Sequence, residues 1–414
     1  MRFTIFGLTV SSSWGNGHAT TWRGLLRALR RAGHHTTFFE RDVSYYAGAR
    51  DLAAPDFCHL QLYADCPAIE QQARAAVSSS DVVIVSSYCP DGMAAARLAL
   101  DDPGPLHVFY DIDTPVTLAD LERYGVAAVE GPHYVDAGLV REFDLYLSFT
   151  GGPLLSDIRS RWGARRTAPL YCSVDPEVHR PVRAASGFRS DLSYLGTYAI
   201  DRQGALDALL LEPARRRPDR RFFVAGAQYP EDTVWPANVA RRDHLPPGDH
   251  PAFYCGSRLT LNITHEAMIK TGYAPSVRLF EAASCGTPIL SDFWPGLDEL
   301  FVPGSEILVA HDSDQAEAAL DLDDAQLRRI AAAARERTLA EHSCETAPGS
   351  WSAPAKRPAG HRARPRNASS GPPIPPVWVD ACGGQRCSPV APPRHLSAMR
   401  PARPIGLRTQ NGTF

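Results

Sequence analysis

Two hydrophobic periods take turns along most of the chain. Residues 2 to 10 are a near-continuous apolar run with Phe3, Ile5, Phe6, Leu8 and Val10, the pattern of a strand buried on both faces. Ser11-Ser12-Ser13-Trp14-Gly15-Asn16-Gly17-His18 follows, and suits no regular element. Trp22, Leu25, Leu26 and Leu29 then recur at i, i+3, i+4 and i+7, which predicts a helix that Gly33 terminates; His35 to Glu40 is the next strand. Strand, glycine loop, helix and strand make a βαβ unit, whose crossover is expected to be right-handed over a parallel sheet. Asp81 to Ser86, Leu106 to Tyr110, Phe143 to Phe149 and Ala168 to Cys172 read as further strands. Residues 1–172 are therefore expected to form one α/β domain.

Residues 173–189 (SVDPEVHRPVRAASGFR) hold two prolines and no period, and read as a linker. A second alternating series fills 190–342: strand Asp191 to Leu195, turn Gly196-Thr197, a helix from Arg202, strand Arg221 to Ala225, a helix near Phe253, strand Leu259 to Ile263, helix Ser276 to Ser284 and strand Pro288 to Ser291. A helix from Asp324 to about His342 ends the series. The fold class expected is α/β, two doubly wound Rossmann-like domains facing across a cleft, with ligands at the carboxyl ends of the strands.

Charge separates the remainder. Residues 347 to 414 contain ten Lys/Arg, one acid (Asp380) and 13 of the 35 prolines, whereas residues 1 to 346 hold 33 basic and 45 acidic residues. The segment 343–414 is expected to be a disordered tail, since proline at that density sustains neither helix nor ladder. Its abrupt loss of acids suggests an out-of-frame ending. The acidic body argues against nucleic acid as a partner. No apolar run reaches the roughly 18 residues of a spanning helix, and the opening MRFTIFGLTV lacks a cleavage site, so a cytoplasmic protein is expected. Nine scattered cysteines without a CxxC fit reduced thiols.

The candidate chemistry gathers at strand ends. In Pro275-Ser276-Val277-Arg278-Leu279-Phe280-Glu281, Ser276 can cap a helix whose first turns carry Arg278 and Glu281 at i and i+3. A guanidinium at a helix N-terminus suits a diphosphate, and a carboxylate suits the hydroxyls of a ribose; the same pair would also serve as a surface ion pair. Gly196-Thr197, with Arg202 opening the next helix, could close on a β-phosphate. Gly15 and Gly17 follow the first strand as GxG, either as a turn, as half a dinucleotide fingerprint with Glu40 or Asp42 as its ribose acid, or as backbone that approaches a diphosphate. His18 follows them. Asp111 and Asp113 end another strand, and could bind a metal, orient a hydroxyl or merely build a turn.

The stretches SVRLFEAASCGTPILSD and WPGLDELFVPGSEIL, together with SSWGNGHATTWRGLLRAL, FERDV, VFYDIDTPVTL, YLSFTGG, CSVDP and YLGTYAIDRQ, resemble the CgeB-like (spore maturation) family of GT-B glycosyltransferases, and more distantly the retaining family 4 enzymes. The resemblance covers residues 1 to about 340. It implies a bacterial transferase of the hexosyltransferase kind, which takes a nucleotide-diphosphate sugar as donor and a glycan, protein or small molecule as acceptor, with no cofactor and no metal. Its implied donor-binding residues are Gly15, Gly17, Gly196, Thr197, Arg202, Ser276, Arg278 and Glu281, the last on the ribose. His18, Asp111 and Asp113 are the catalytic candidates. Tyr273 stands where the family 4 enzymes carry a glutamate that contacts the sugar, so the sugar and the stereochemical outcome stay open. GT-B chains usually finish with a helix that crosses back to the first domain, and here helical sequence stops near His342. The other readings are a nucleotide-sugar- or polysaccharide-binding relative without transfer, a GT-B epimerase, and an NAD-dependent oxidoreductase.

Overall fold

A computed structural model describes residues 1–14, 17–128 and 133–346 of the chain. Strands β1 (Arg2–Phe6), β2 (His35–Arg41), β3 (His59–Tyr63), β4 (Val82–Ser86) and β5 (Leu106–Asp111) precede a small antiparallel pair, β6 (Val126–Ala128) and β7 (His133–Asp136), and are followed by β8 (Leu145–Ser148) and β9 (Thr167–Pro169). Seven of these form one parallel sheet in the order β3-β2-β1-β4-β5-β8-β9. A second parallel sheet is built from β10 (Ser190–Leu195), β11 (Phe222–Ala225), β12 (Val239–Arg242), β13 (Ser257–Asn262), β14 (Ile289–Ser291) and β15 (Leu308–Val309), in the order β12-β11-β10-β13-β14-β15. In both sheets the first strand is central and the order reverses beside it, which opens a crevice at the carboxyl edge.

The apolar run of β1 is explained by helices on both faces. Phe3 and Ile5 join Trp22, Leu25, Leu26 and Leu29 in one core, while Phe6 joins Val83, Val85 and Phe109 in the core on the opposite face. The run is nevertheless longer than the strand. Past Phe6, residues 9 to 11 turn onto Glu40 at the end of β2, whose carboxylate accepts from the Thr9 hydroxyl (2.7 Å), Val10 N (2.6 Å), Ser11 N (3.1 Å) and the Ser11 hydroxyl (2.5 Å). Leu8 and Val10 are buried in this loop, outside the ladder. The same bonds remove Glu40 from any role on a dinucleotide ribose, because its oxygens face the loop and the residue is 1% exposed.

Strands β3, β12 and β15 were not among the expected elements. Each lies at a sheet edge, and short or polar strands are usual there because an unpaired ladder invites another chain. The helices near the cleft are α1 (His18–Arg31), α2 (Thr114–Tyr124), which follows Asp113, α3 (Ile200–Leu206), α4 (His250–Gly256), α5 (Val277–Ser284), and α6 (Asp324–Glu341), which packs on α5.

Residues 343 to 346 depart from the expected tail. Cys344 N donates to Val174 O (2.7 Å), Val174 N donates to His342 O (3.1 Å), and Cys344 is fully buried. Arg31 of α1 reaches the Cys344 sulfur at 3.4 Å and the Glu345 carboxylate at 3.5 Å. A short extended return, with no helix, therefore ties the end of α6 to the first half. Residues 347–414 lie outside the described residues.

Glu40→Ala would leave two backbone N–H groups and two hydroxyls without their acceptor. It is expected to lower the unfolding free energy by about 3 kcal/mol, the scale of breaking a buried charged hydrogen-bond group. A urea titration checks this; a loss below about 1 kcal/mol would show that other contacts hold the loop.

Candidate functional site

The carboxyl edges of the two sheets enclose a cavity of about 370 Å³, within the usual size of small-molecule sites. Gly17, His18 and Asp113 line it from the first half, and Gly196, Thr197, Arg202, Ser276, Arg278 and Glu281 from the second. Nine of the eleven residues singled out in the sequence thus meet in one place. Gly15 lies outside the described residues. Asp111 is the exception: it ends β5 but does not line the cavity.

Asp111 is fully buried beneath the cleft floor, where its carboxylate accepts from the Thr117 hydroxyl (2.8 Å), Asp113 N (3.3 Å) and the Tyr146 hydroxyl. Burial pushes its pKa up to about 6, against the opposing hydrogen bonds of Tyr146 and Thr117. A carboxylate so enclosed organises the turn between β5 and α2 and cannot reach a substrate. Its neighbour two positions on does face the cavity. Asp113 immediately precedes α2, and its Oδ2 accepts from the Tyr88 hydroxyl (2.7 Å) and lies 3.6 Å from His18 Nε2. The Tyr88 backbone is left-handed (φ 62°), a conformation unfavourable for a tyrosine that holds this phenol against Asp113 and the His18 ring, 5.1 Å away. Sequence reading missed Tyr88, since nothing local marks a tyrosine as the partner of an aspartate 25 positions later.

The second half presents its cations through backbone. Arg278 Nε donates to the Leu195 carbonyl at the end of β10, and Nη1 donates to Asn262 Oδ1 at the end of β13 (2.9 Å). The guanidinium also stacks over the Tyr194 ring at 5.0 Å. These contacts fix Nη2 beside Gly196, where a Cβ would come within 3.0 Å of it. A Cβ on Gly226 would meet the Gly196 carbonyl at 1.9 Å, so the two strand ends touch through bare backbone. Arg202 turns back onto the Thr197 carbonyl and shapes the same turn. Ser276 holds the N-cap position of α5 as expected, yet its hydroxyl donates to Asn262 Oδ1 (2.8 Å) and makes no cap bond. Leu279 N of the first turn donates to Ser276 O instead (3.1 Å), and Ser276, Val277 and Arg278 at the start of α5 line the cavity. Gly17 comes close to that helix: a Cβ there would stand 3.3 Å from the Val277 side chain.

Glu281 does not pair with Arg278, although the two are one turn apart. It is a recessed part of the cavity wall, 2% exposed, where the Tyr254 hydroxyl donates to Oε2 (3.1 Å) and His179 and His250 approach the two oxygens at 3.5 Å. These partners come from the inter-sheet segment and from α4, too distant in sequence for any motif to reveal. Tyr273 is not in the cavity lining. Its left-handed backbone (φ 53°) accepts from Gly151 N (2.9 Å), and its ring lies against Gly152 and Gly296, so the position is used to join the two halves.

Comparison with known proteins agrees with this geometry. The glycosyl transferase-like family model matches residues 202–347, the half that carries Arg202, Arg278 and Glu281. No curated protein sequence matches the chain. Among solved structures, sucrose-phosphate synthase of Thermosynechococcus elongatus is similar with a TM-score of 0.58 at 13% identity, covering 84% of this chain and 96% of its own. Anabaena HepE, solved with UDP and glucose, gives 0.58 at 11% identity (84% and 98%), and an E. coli trehalose-6-phosphate structure bound with UDP-2-fluoro glucose gives 0.56 at 10% (84% and 98%). The chain has the GT-B fold: two Rossmann-like α/β domains with parallel sheets. No helix among the described residues is long and apolar enough to cross a membrane.

The buried Asp111 leaves a signature in stability. With its native pKa near 6 and an unfolded value near 3.9, the folded chain keeps a proton that the unfolded chain releases. That contribution is full below about pH 4 and is lost as pH rises through about 6. The stability of wild type relative to Asp111→Asn is expected to fall by roughly 2 kcal/mol between pH 4 and 7 in urea titrations. A difference independent of pH would mean that Asp111 is ionised in place.

Proposed function

We propose that this protein is a glycosyltransferase that moves a sugar from a nucleoside-diphosphate sugar onto an acceptor hydroxyl, with a place in the CgeB-like group. The observation that carries the reading is the division of one cavity into a cationic, helix-terminated wall from the second sheet and a His18–Asp113 wall from the first. UDP or a UDP-sugar in the structures of similar fold supports the choice of donor.

In this reading the diphosphate lies over Gly196 and the start of α5, where Arg278 Nη2 and the positive end of the helix dipole attract it. Breaking the sugar–phosphate bond leaves growing negative charge on the diphosphate, and a guanidinium already oriented by Leu195 and Asn262 stabilises that charge without reorganising. Fixed cations of this kind supply what a metal would otherwise provide. Glu281 accepts the ribose hydroxyls, and Gly17 allows backbone from the first half to approach the phosphates. On the facing wall, His18 with Asp113 behind it is the base for the acceptor hydroxyl. Closure of the halves about residues 173–189 would keep water from the donor.

A thermal-shift panel of UDP-, GDP-, dTDP- and ADP-sugars against NAD and NADP tests the donor half. One nucleotide sugar at a hundred times its dissociation constant is expected to stabilise the chain by about 2.7 kcal/mol. Glu281→Ala should abolish the effect and Arg278→Ala reduce it, whereas stabilisation by NAD alone would overturn the proposal.

The facing wall has its own test. His18→Ala is expected to keep the donor-induced shift while slow hydrolysis of that donor falls by about a hundredfold or more. Loss of binding with unchanged hydrolysis per bound donor would place His18 on the donor instead.

A further inference from the structure

A second aspartate–histidine pair borders the cavity, this one built by the second half. His265 follows β13, and Asp201 lies in the first turn of α3. His265 Nδ1 stands 2.9 Å from Asp201 Oδ2 and 3.2 Å from Oδ1, and Glu266 N donates to Oδ2 (3.0 Å). Burial pushes the Asp201 carboxyl up, but the bonds from Glu266 N and His265 outweigh it and hold it below the usual carboxylate range. The carboxylate therefore only accepts, and Nδ1 carries the hydrogen between them. His265 lines the cavity with its side chain 43% exposed, and its Nε2 makes no hydrogen bond among the described residues.

The place of His265 in the cavity follows from what it is joined to. The Thr264 hydroxyl, one residue earlier, accepts from Asn262 Nδ2 (3.3 Å), and Asn262 Oδ1 in turn accepts from Arg278 and from the Ser276 hydroxyl. On its other side, the short helix Glu266–Thr271 begins directly after His265 and packs against α2, which itself begins directly after Asp113. Met268 of that short helix also lines the cavity. His265 thus stands where the cationic wall of the second half meets the His18–Asp113 wall of the first. A sugar bonded to a diphosphate at Arg278 has to occupy this corner for its anomeric carbon to face His18.

We propose that His265, with Asp201 behind it, is a specificity-determining residue that reads a hydroxyl of the transferred sugar. The inference rests on the nucleotide-sugar reading of the cleft. A hydroxyl both donates and accepts, so Nε2 can bond to it whether or not the ring carries a second proton. A phosphate oxygen only accepts, and would need the charged ring with a carboxylate directly behind it. The pair therefore suits the sugar and not the diphosphate.

The neighbouring polar side chains of this wall are engaged elsewhere. The Thr264 hydroxyl donates to Asp292 Oδ1 (2.9 Å), the Ser276 hydroxyl donates to Asn262, and Arg202 Nη2 donates to the Thr197 carbonyl. Arg202 adjoins Asp201 in sequence and offsets part of its charge. Asp243, just past β12, accepts from Arg241 (3.0 Å), and the recessed Glu281 accepts from Tyr254. Against that background the outer nitrogen of His265 is left for a ligand.

The test is calorimetric titration of UDP, UDP-glucose and the analogues of UDP-glucose that each lack one sugar hydroxyl; if the thermal-shift panel selects another nucleotide, it replaces UDP throughout. Wild type is expected to bind one deoxy analogue about threefold to tenfold more weakly than the parent, the scale of one hydrogen bond. His265→Phe keeps a planar ring and removes both nitrogens. It should bind UDP as wild type does, bind UDP-glucose about threefold to tenfold more weakly, and no longer distinguish that analogue from the parent. His265→Ala serves if the phenylalanine variant does not fold, with UDP affinity as the check on folding. Equal binding of every deoxy analogue by wild type overturns the proposal. So does a variant that keeps the wild-type discrimination, which would leave the pair as a tie between α3 and the loop after β13. A variant that loses UDP affinity also overturns it, and would put His265 on the phosphates. If neither UDP nor any nucleotide sugar of the panel binds wild type, the donor reading itself has failed and the inference falls with it.

Discussion

Parallel pairing imposes a constraint that every other feature of this protein obeys. When all strands of a sheet run one way, each strand ends at the same edge, and the loops that leave those ends are the only backbone free to carry chemistry. This chain builds two such sheets, one of seven strands and one of six. Their carboxyl edges bring Leu195 at the end of β10, the residues just past β5 and β13, and the starts of α1 and α5 into one cavity. Separation in sequence is then irrelevant: Gly17 and Val277 are neighbours because each begins a helix at such an edge.

Within that frame the polar groups fall into two kinds. Glu40 and Asp111 are enclosed carboxylates that hold the loops after β1 and β5, with their oxygens turned inward to backbone and hydroxyl donors. Asp113, Arg278 and Glu281 are held by neighbours in such a way that part of each still addresses the cavity. Burial distinguishes the kinds better than residue type does. Two aspartates two positions apart ended on opposite sides of this division: Asp111 is enclosed by Thr117, Tyr146 and Asp113 N, whereas Asp113 meets Tyr88 and His18 at the cavity.

The linkage between the halves is made of small contacts. Tyr273 fits between Gly152 and Gly296, Arg27 of α1 pairs with Asp175, and residues 343 to 346 lie along Val174 and α1. Phe149, Tyr171 and Cys172 add apolar packing against the core of the second half.

Much of this was legible in the sequence. Runs of buried β-branched and aromatic residues between helical periods point to parallel sheets, and Ser276 through Glu281 marks a helix start at a strand edge. Period and capping are local properties, so β1, β4, β10 and α5 could be read directly. Edge strands β3, β12 and β15 could not, because a half-exposed ladder leaves no apolar run. Nor could the partners of the site residues. That Tyr88 supports Asp113, that His179 and His250 enclose Glu281, and that Arg278 binds the ends of two strands are distances between segments tens of residues apart. The sequence by itself determined the layers and the edge at which chemistry would lie. Only the tertiary structure decided which side chains face the cleft and which are enclosed beneath it, since that depends on what each segment packs against.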